Sequence, residues 1–308
     1  KALSNYMVAM LETVGIKSHY ALIMAGEDQR PLETDFPSSQ FNHAIVAVPN
    51  GADTLWLECT SQTNPFGYQG TFTGDRKALL ITDNGATIVK TLRYPAEMNV
   101  QATAADVQVS ATGQASASVR RTYSGLQYEN GDLHHYVNSQ YDEQKKWIQH
   151  YLDIPSFDVT SFSIRNVKDK VPSAIVTADL RMDRFATVSG KRIFFMPNLM
   201  NRSSTIPEKF ENRKLPIIKR TAYIDVDTIR FGLPEEIYPE FLPEEVNIES
   251  RFGEYHASFK VEQGNLVYIR KVKMNKGEFP PASYQELIDF YRGMNKADNI
   301  KMVFMTKT

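Results

Sequence analysis

The stretch FNHAIVAVPNGADTLWLECT, residues 41–60, decides the fold of the N-terminal part of this chain. Two apolar runs flank Asn50-Gly51, and Asn-Gly is the strongest short signal for a β-hairpin because both residues tolerate the positive φ of a type I′ turn. With these two residues at the turn, His43 faces Glu58 across the strands. Directly opposed residues have Cβ atoms about 4.5–5.5 Å apart. The sequence therefore predicts an imidazole beside a carboxylate.

The chain opens on a predicted amphipathic helix, KALSNYMVAMLETVGI at residues 1–16. Its apolar residues recur at spacings of three and four, which is the period of one helix face. These residues are Leu3, Met7, Met10, Leu11 and Val14. Gly15 is the expected C-cap. Because nothing before Lys1 caps the helix, we expect an upstream part of the protein to be absent, either from the numbered chain or from the resolved residues.

The pattern along the chain predicts two domains. Residues 19–25 have the composition of a strand, and residues 77–91 indicate a second hairpin. From about residue 100 the character changes to many short segments rich in β-branched residues. We therefore expect one domain at 1–95 and a second at 96–308, a division that suits the length of the chain.

The second predicted domain is rich in strands. Its segments alternate in polarity and are separated by turn residues, a rhythm typical of β-sandwiches. Two helices interrupt the strands, at about 139–152 and 283–294, and Ser283 is the expected N-cap of the second. The predicted fold class is α+β, with a partial core at the N-terminus followed by a mainly antiparallel β-sandwich-like domain that carries two short helices.

The composition excludes several classes of protein. Hydrophobic residues make up 42% and charged residues 23%, as in folded, water-soluble proteins. The formal net charge is −1 with both signs interspersed, so neither a nucleic acid nor an anionic membrane is indicated as a partner. No apolar run approaches the ~20 residues that span a bilayer. The single cysteine allows no disulfide within the chain.

The N-terminal sequence resembles the core of bacterial transglutaminase-like proteins, which are papain-like cysteine hydrolases. The opening helix resembles the core helix of that superfamily, and residues 14–16, Val-Gly-Ile, match the turn that ends it. FNHAIVAV (41–48) resembles the strand that carries the family histidine. LWLECTSQTNPFG (55–67) resembles the strand and loop that carry the acid. The resemblance covers residues 1–66.

This resemblance implies a division of catalytic roles. The nucleophilic cysteine of the superfamily precedes the core helix, which places it directly before Lys1; His43 is then the base, and Glu58 stands where the family normally has aspartate. A helix N-terminus and a neighbouring imidazolium stabilise a thiolate, and the acid orients the histidine. Cys59 is not expected to be the nucleophile, because it points away from the face shared by His43 and Glu58 and has no helix dipole. The chain alone is therefore expected to be inactive.

The C-terminal part carries a second, looser resemblance. Residues 211–237 and 251–259 resemble the β-rich domain of unknown function that follows a transglutaminase-like core in many Bacteroidetes-type proteins. Proteins of this architecture are often exported, so the resemblance implies a periplasmic or extracellular location.

Two classes of function follow from these patterns. The first is a cysteine peptidase, amidase or acyltransferase that acts on a protein or peptide substrate through a thioester acyl-enzyme. It needs the missing N-terminal segment, and neither a cofactor nor a metal is expected. The second is a non-catalytic binding or scaffold protein with a degenerate core. A carbohydrate-binding β-domain is a third possibility, but no clear row of aromatic residues supports it.

Four other features of the sequence are interpreted as structural or left open. His134 and His135 are expected to point in opposite directions on a strand, with no carboxylate or cysteine cluster to complete a metal site. Residues 269–276 alternate basic and apolar side chains, which indicates a sheet edge guarded by lysines. Trp56 is expected in the core. Asn42 is left open between a hydrogen bond near the site and a structural role.

Overall fold

A computed structural model of the chain describes residues 1–26, 30–36, 38–262 and 265–307. The chain divides into two compact units. The first comprises Lys1–Pro95 and Val167–Ser173, and the second comprises Ala96–Asn166 and Ala174–Thr308.

The described helices include none with the length and apolar character needed to cross a lipid bilayer.

The first unit is built on one antiparallel sheet with the strand order β3-β2-β1-β4-β5. Its elements in chain order are α1 (Ala2–Thr13), β1 (His19–Ile23), β2 (His43–Asn50), β3 (Asp53–Leu57), α2 (Gly70–Thr73), β4 (Lys77–Thr82) and β5 (Gly85–Lys90). Alternating residues of the central strands form an apolar core that includes Trp56, which is 5% exposed. The prediction that Trp56 lies in the core is confirmed.

The β2–β3 hairpin is present but turns one residue later than predicted. Asn50 pairs with Asp53, so Gly51 and Ala52 are the two turn residues. Gly51 has a φ of +62°, and glycine at the first central position is typical of type II′ turns. The predicted type I′ turn centred on Asn50 and Gly51 was therefore wrong.

The changed turn moves the strand register by two residues. Val46 pairs with Leu57, whereas the predicted turn placed His43 directly opposite Glu58. That direct pairing was wrong. Because side chains alternate between faces with a period of two, a shift of two residues leaves every side chain on its predicted face. His43 and Glu58 thus remain on one side of the sheet.

The first helix forms as predicted but buries a different residue. Gly15 has a φ of +75°, and its amide donates to the Glu12 carbonyl at 3.0 Å, as expected of a C-cap. Ser4 is the buried residue of α1, at 1% exposure. Leu3 and Met10, from the predicted apolar face, are 55% and 46% exposed. The apolar spacing predicted the helix correctly and its buried face incorrectly.

Strands dominate the chain after Pro95. They are β6 (Val100–Val109), β7 (Ala115–Ser124), β8 (Asp158–Val167), β9 (Ser173–Met182), β10 (Thr187–Ser189), β11 (Arg192–Phe195), β12 (Ile217–Lys219), β13 (Tyr223–Gly232), β14 (Ile237–Phe241), β15 (Val246–Ser250), β16 (Gly253–Glu262), β17 (Asn265–Met274), β18 (Gly277–Phe279) and β19 (Met302–Thr306). The helices are α3 (Leu133–Tyr136), α4 (Tyr141–Tyr151) and α5 (Tyr284–Asp298), with 3₁₀ turns at Gly125–Asp132 and Pro281–Ser283.

These strands form three sheets among the described residues. The largest has eight strands in the order β15-β16-β17-β13-β6-β7-β9-β8. A four-stranded sheet has the order β10-β11-β19-β14, and β12 pairs with β18. The recorded pairings are antiparallel except β6 with β13, which is parallel. The fold is thus β-rich with few helices and with antiparallel and mixed sheets, as an α+β class predicts.

The two predicted helices of this part are confirmed as α4 and α5. Trp147 and Ile148 of α4 are buried, but Tyr141, also predicted on its apolar face, is 60% exposed. Ser283 precedes α5 but does not cap it with its side chain, since its hydroxyl donates to the Pro280 carbonyl at 2.7 Å.

The second unit contains a buried ionic cluster. The Arg270 guanidinium donates to both carboxylate oxygens of Asp298, at 2.7 and 2.9 Å, and to Asp227 at 3.3 Å. The Tyr255 hydroxyl donates to Asp298 at 2.8 Å. The side chains of Arg270, Asp227 and Asp298 are at most 5% exposed. Buried charges of this kind are tolerated only when they are paired and hydrogen-bonded.

Asp225 lies beside this cluster, where burial disfavours its charged form. Burial raises the pKa of its carboxyl to about 6; the positive charge of Arg270 opposes the increase and the negative charge of Asp227 adds to it. Gln127 donates one hydrogen bond to Asp225, at 2.6 Å. The charged form of Asp225 is therefore incompletely compensated.

Candidate functional site

The structure brings the side chains of His43 and Glu58 together. His43 is the first residue of β2, and Glu58 follows the last residue of β3. The imidazole Nε2 lies 3.0 Å from each carboxylate oxygen. The two side chains are 13% and 5% exposed. A contact this short and this shielded from solvent fixes the orientation of the imidazole ring.

Thr60 holds the Glu58 carboxylate from the other side. Its amide and its hydroxyl donate to Glu58 Oε1 at 3.1 and 2.6 Å. Burial acts to raise the pKa of Glu58, but hydrogen bonds from His43 and Thr60 outweigh it, so the pKa is lowered. Glu58 is therefore ionised at neutral pH and can only accept hydrogen bonds.

An ionised Glu58 decides which ring nitrogen of a neutral His43 carries the proton. Nε2 must be the donor to the carboxylate, which leaves Nδ1 with a lone pair. Within the described part of the chain, the hydrogen bonds of the His43 imidazole use Nε2 alone. The edge of the ring lies against Phe72, with centroids 5.1 Å apart. His43 can thus accept a proton at Nδ1 while Glu58 stabilises the resulting cation.

The N-terminal turn of α1 lies next to this pair. The Ser4 hydroxyl donates to the carbonyl of Ala44, the residue after His43, at 2.7 Å. A helix N-terminus carries a partial positive charge and unpaired amides, which favour an anion placed there. The first unit therefore places a base and a helix N-terminus side by side.

Cys59 is half-buried and poorly suited to act as a nucleophile. Burial raises the pKa of its thiol, and the negative charge of Glu58 adds to the increase, while an interaction with Ser4 opposes it. Its Sγ lies 3.7 Å from the Leu57 carbonyl. The expectation that no helix end lies near Cys59 was wrong, since Ser4 is in the first turn of α1. The raised pKa still leaves the thiol protonated at neutral pH.

Asn42, left open by the sequence, has a structural role. Its side chain accepts from the Ala25 amide at 2.7 Å and donates to the Ala25 carbonyl at 2.9 Å. The oxygen and the nitrogen of the Asn42 side-chain amide thereby tie two backbone segments together.

Two contributors to the site were missed from the sequence. Thr60 has a weak local signal, because it lies two residues after Glu58, the spacing at which aspartate often accepts from a backbone amide. Ser4 has no such signal, because its partner lies 40 residues away in the chain.

The expectation for the adjacent histidines of the second unit was wrong in its geometry. His134 and His135 lie in the helical turn α3, not on a strand. The expectation that no carboxylate accompanies them was also wrong, since Asp132 lies close to both. Their ring centroids are 3.8 Å apart.

Comparisons with known proteins give two findings. Residues 191–304 match a family described as a domain of unknown function with a solved structure (DUF3858). A crystal structure described as that of "a putative protease" from Parabacteroides distasonis ATCC 8503 is similar over 98% of this chain, with a TM-score of 0.51 and 14% sequence identity. This chain covers 43% of that protein and so spans less than half of its length. At this identity the similarity concerns the fold alone.

No curated protein matches the sequence.

Proposed function

We propose that this chain supplies the base and the acid of a transglutaminase-like cysteine peptidase, amidase or acyltransferase with a papain-like core. His43 is the base, and Glu58 is the positioning acid. The observation that carries the proposal is the shielded contact of 3.0 Å between Nε2 and the carboxylate. The similarity in fold to a protein described as "a putative protease" supports it.

The nucleophile in this proposal is a thiol that directly precedes Lys1. That position lies at the N-terminus of α1, whose first turn bonds to the residue after His43. The helix N-terminus and a protonated His43 both stabilise a thiolate there. Cys59 does not take this role, because its pKa is raised.

The reaction then proceeds by acyl transfer on a protein or peptide amide. Nδ1 of His43 takes the thiol proton, and the thiolate attacks the amide carbonyl carbon. As the C–N bond breaks, the imidazolium returns the proton to the departing amine, which leaves a thioester. Water gives a carboxylic acid and the free thiol, whereas an amine gives a new amide. Glu58 holds the ring and stabilises its positive charge throughout.

The experiment uses the full-length product of the gene that encodes this chain. Hydrolysis of a fluorogenic peptide mixture and incorporation of a fluorescent amine into casein are measured for the wild type, His43→Ala, Glu58→Gln and Cys59→Ser. His43→Ala should lower the rate by about 10²–10⁴-fold, and Cys59→Ser should retain it. Full activity of His43→Ala, or loss of activity in Cys59→Ser, would overturn the proposal.

A non-catalytic scaffold is the second candidate, and one observation favours it. Cys59 is the single cysteine of these 308 residues, and its raised pKa means that the sequence contains no activated thiol. Iodoacetamide labelling of the full-length protein at pH 7 separates the two candidates. The enzyme is supported if a thiol other than Cys59 alkylates rapidly in the wild type and slowly in His43→Ala. Slow labelling of Cys59 alone supports the scaffold.

A further inference from the structure

The second unit contains a cluster of potential metal ligands that is separate from the His43–Glu58 pair. One ligand atom each from Asp132, His134 and His135 lies within 4.8 Å of the other two. Asp132 ends the 3₁₀ turn Gly125–Asp132, and the two histidines belong to α3. Three positions within four residues thus bring two imidazoles and one carboxylate together.

The arrangement of the two imidazoles is unusual for neighbours in a helix. Successive helical residues project about 100° apart, yet the ring centroids of His134 and His135 are 3.8 Å apart with an interplanar angle of 41°. A cation held by one nitrogen lone pair from each ring accounts for two imidazoles this close together.

His134 has unused bonding capacity inside the protein. Its Nδ1 is buried and has no hydrogen-bond partner among the described residues. Buried polar atoms almost always have a partner, and an unpartnered one calls for an explanation. A metal ion bound at this nitrogen supplies the missing partner.

The negative charge near the histidines suits a cation. Asp132 and Glu129 both act electrostatically on His134, in the direction that favours positive charge. Asp132 and His135 are exposed, whereas His134 is half-buried. Two of the three ligand side chains are therefore open to solvent.

The segment that carries the ligands is held rigidly. Leu133, between Asp132 and His134, is fully buried. The Gly131 carbonyl accepts a hydrogen bond from the Trp147 indole at 2.6 Å. The Tyr151 ring packs so closely on Gly131 that a Cβ atom there would lie 1.7 Å from it. Ligands on such a fixed segment need little ordering when an ion binds.

We propose that Asp132, His134 and His135 bind one divalent transition-metal ion of the zinc class, with solvent in the remaining coordination positions. Imidazole nitrogens select zinc, cobalt, nickel and copper, whereas magnesium and calcium prefer sites made of oxygen ligands. Three protein ligands with an open position are the pattern of zinc sites that exchange a bound solvent molecule.

The test uses the 308-residue chain without an affinity tag, after dialysis against a chelator. It is titrated with Co²⁺, followed by visible absorption, and with Zn²⁺, followed by calorimetry. The variants are Asp132→Asn, His134→Ala and His135→Ala, and the matched control is His150→Ala, an exposed histidine on α4. Asparagine is chosen because Asp132 has a φ of +58°, a conformation that asparagine tolerates.

We expect one equivalent of metal and a loss of roughly tenfold or more in affinity for each ligand variant, with His150→Ala unchanged. Asp132→Asn and His135→Ala alter exposed side chains, so they test the site even if His134→Ala fails to fold. Absence of stoichiometric binding, or wild-type affinity in both exposed variants, would overturn the inference.

Discussion

The imidazole of His43 meets the carboxylate of Glu58 at 3.0 Å although the two residues are not opposite each other in the hairpin. Continuing the register beyond Val46 and Leu57 places Glu58 across from Ile45, two residues from His43. Such diagonal neighbours are about 7–8 Å apart at Cα. Glutamate, one methylene longer than aspartate, suits this longer span.

The first prediction concerns the tautomer of His43. Long-range ¹H–¹⁵N spectra of the 308-residue chain at neutral pH should show the proton of the neutral ring on Nε2, because ionised Glu58 can only accept. Glu58→Asp should release the ring into a mixture of tautomers, since the shorter side chain does not span the diagonal. A wild-type ring protonated on Nδ1 would contradict this assignment.

The second prediction concerns Asp225 and pH. Its folded pKa of about 6 exceeds the ordinary value of 3.8, so the folded state binds the proton more tightly than the unfolded state. The contribution of Asp225 to the free energy of unfolding therefore decreases as pH rises from about 4 to about 6. Asp225→Asn should be more stable than the wild type at pH 7, by roughly 1–3 kcal/mol, and nearly equal at pH 4.

Urea titrations of both proteins at several pH values measure this difference. Asparagine still accepts the hydrogen bond from Gln127, so the variant removes the charge and little else. A variant that is less stable than the wild type at pH 7 would show that the charge of Asp225 is fully compensated by Arg270 and by Arg121, whose positive charge also acts on it.

The third prediction concerns the buried ionic cluster. Asp298→Ala removes two hydrogen bonds from Arg270 and leaves its charge buried, so it should lower the free energy of unfolding by about 3–5 kcal/mol. The matched control is Asp289→Ala on the same helix, where the partner Arg292 is 60% exposed. Its effect should stay below about 1 kcal/mol. Equal effects of the two variants in urea titrations would mean that the cluster contributes no more than a surface pair.

The fourth prediction concerns the attachment of α1. Ser4→Ala leaves the Ala44 carbonyl without its buried donor, which should cost about 1–3 kcal/mol of stability. Leu3→Ala changes a side chain that is 55% exposed and should cost less than about 0.5 kcal/mol. The two variants are compared by chemical denaturation. A larger loss in Leu3→Ala would show that an apolar contact, and not the Ser4 hydrogen bond, anchors the helix.

Local patterns in the sequence predicted elements better than they predicted contacts. The β2–β3 hairpin, α1, α4 and α5 all follow from turn residues and apolar spacing. The face buried by α1 does not, because it is set by the Ser4 hydrogen bond to a strand 40 residues away. The short turn α3 has too few residues to show a helical period, so His134 and His135 were assigned to a strand.

The pairing of His43 with Glu58 was predictable because it also follows from a local pattern. Strand alternation alone places His43 and Glu58 on one face, and this survives a register error of two residues. The buried cluster was not predictable, because Arg270 meets Asp298 and Asp227 across separations of 28 and 43 residues. No spacing rule connects residues on different strands and a helix.

The parallel pairing of β6 with β13 has a consequence for how the chain folds. Val100 pairs with Ile224, so the middle of the large sheet closes only after more than a hundred intervening residues have been synthesised. The matched segment 191–304 lacks β6, and if excised it would expose one edge of β13. Non-local pairing of this kind slows folding, and unpaired edges invite aggregation. During translation, β6 therefore keeps one edge unpaired until β13 emerges, and over that interval the nascent second unit is open to edge-to-edge association.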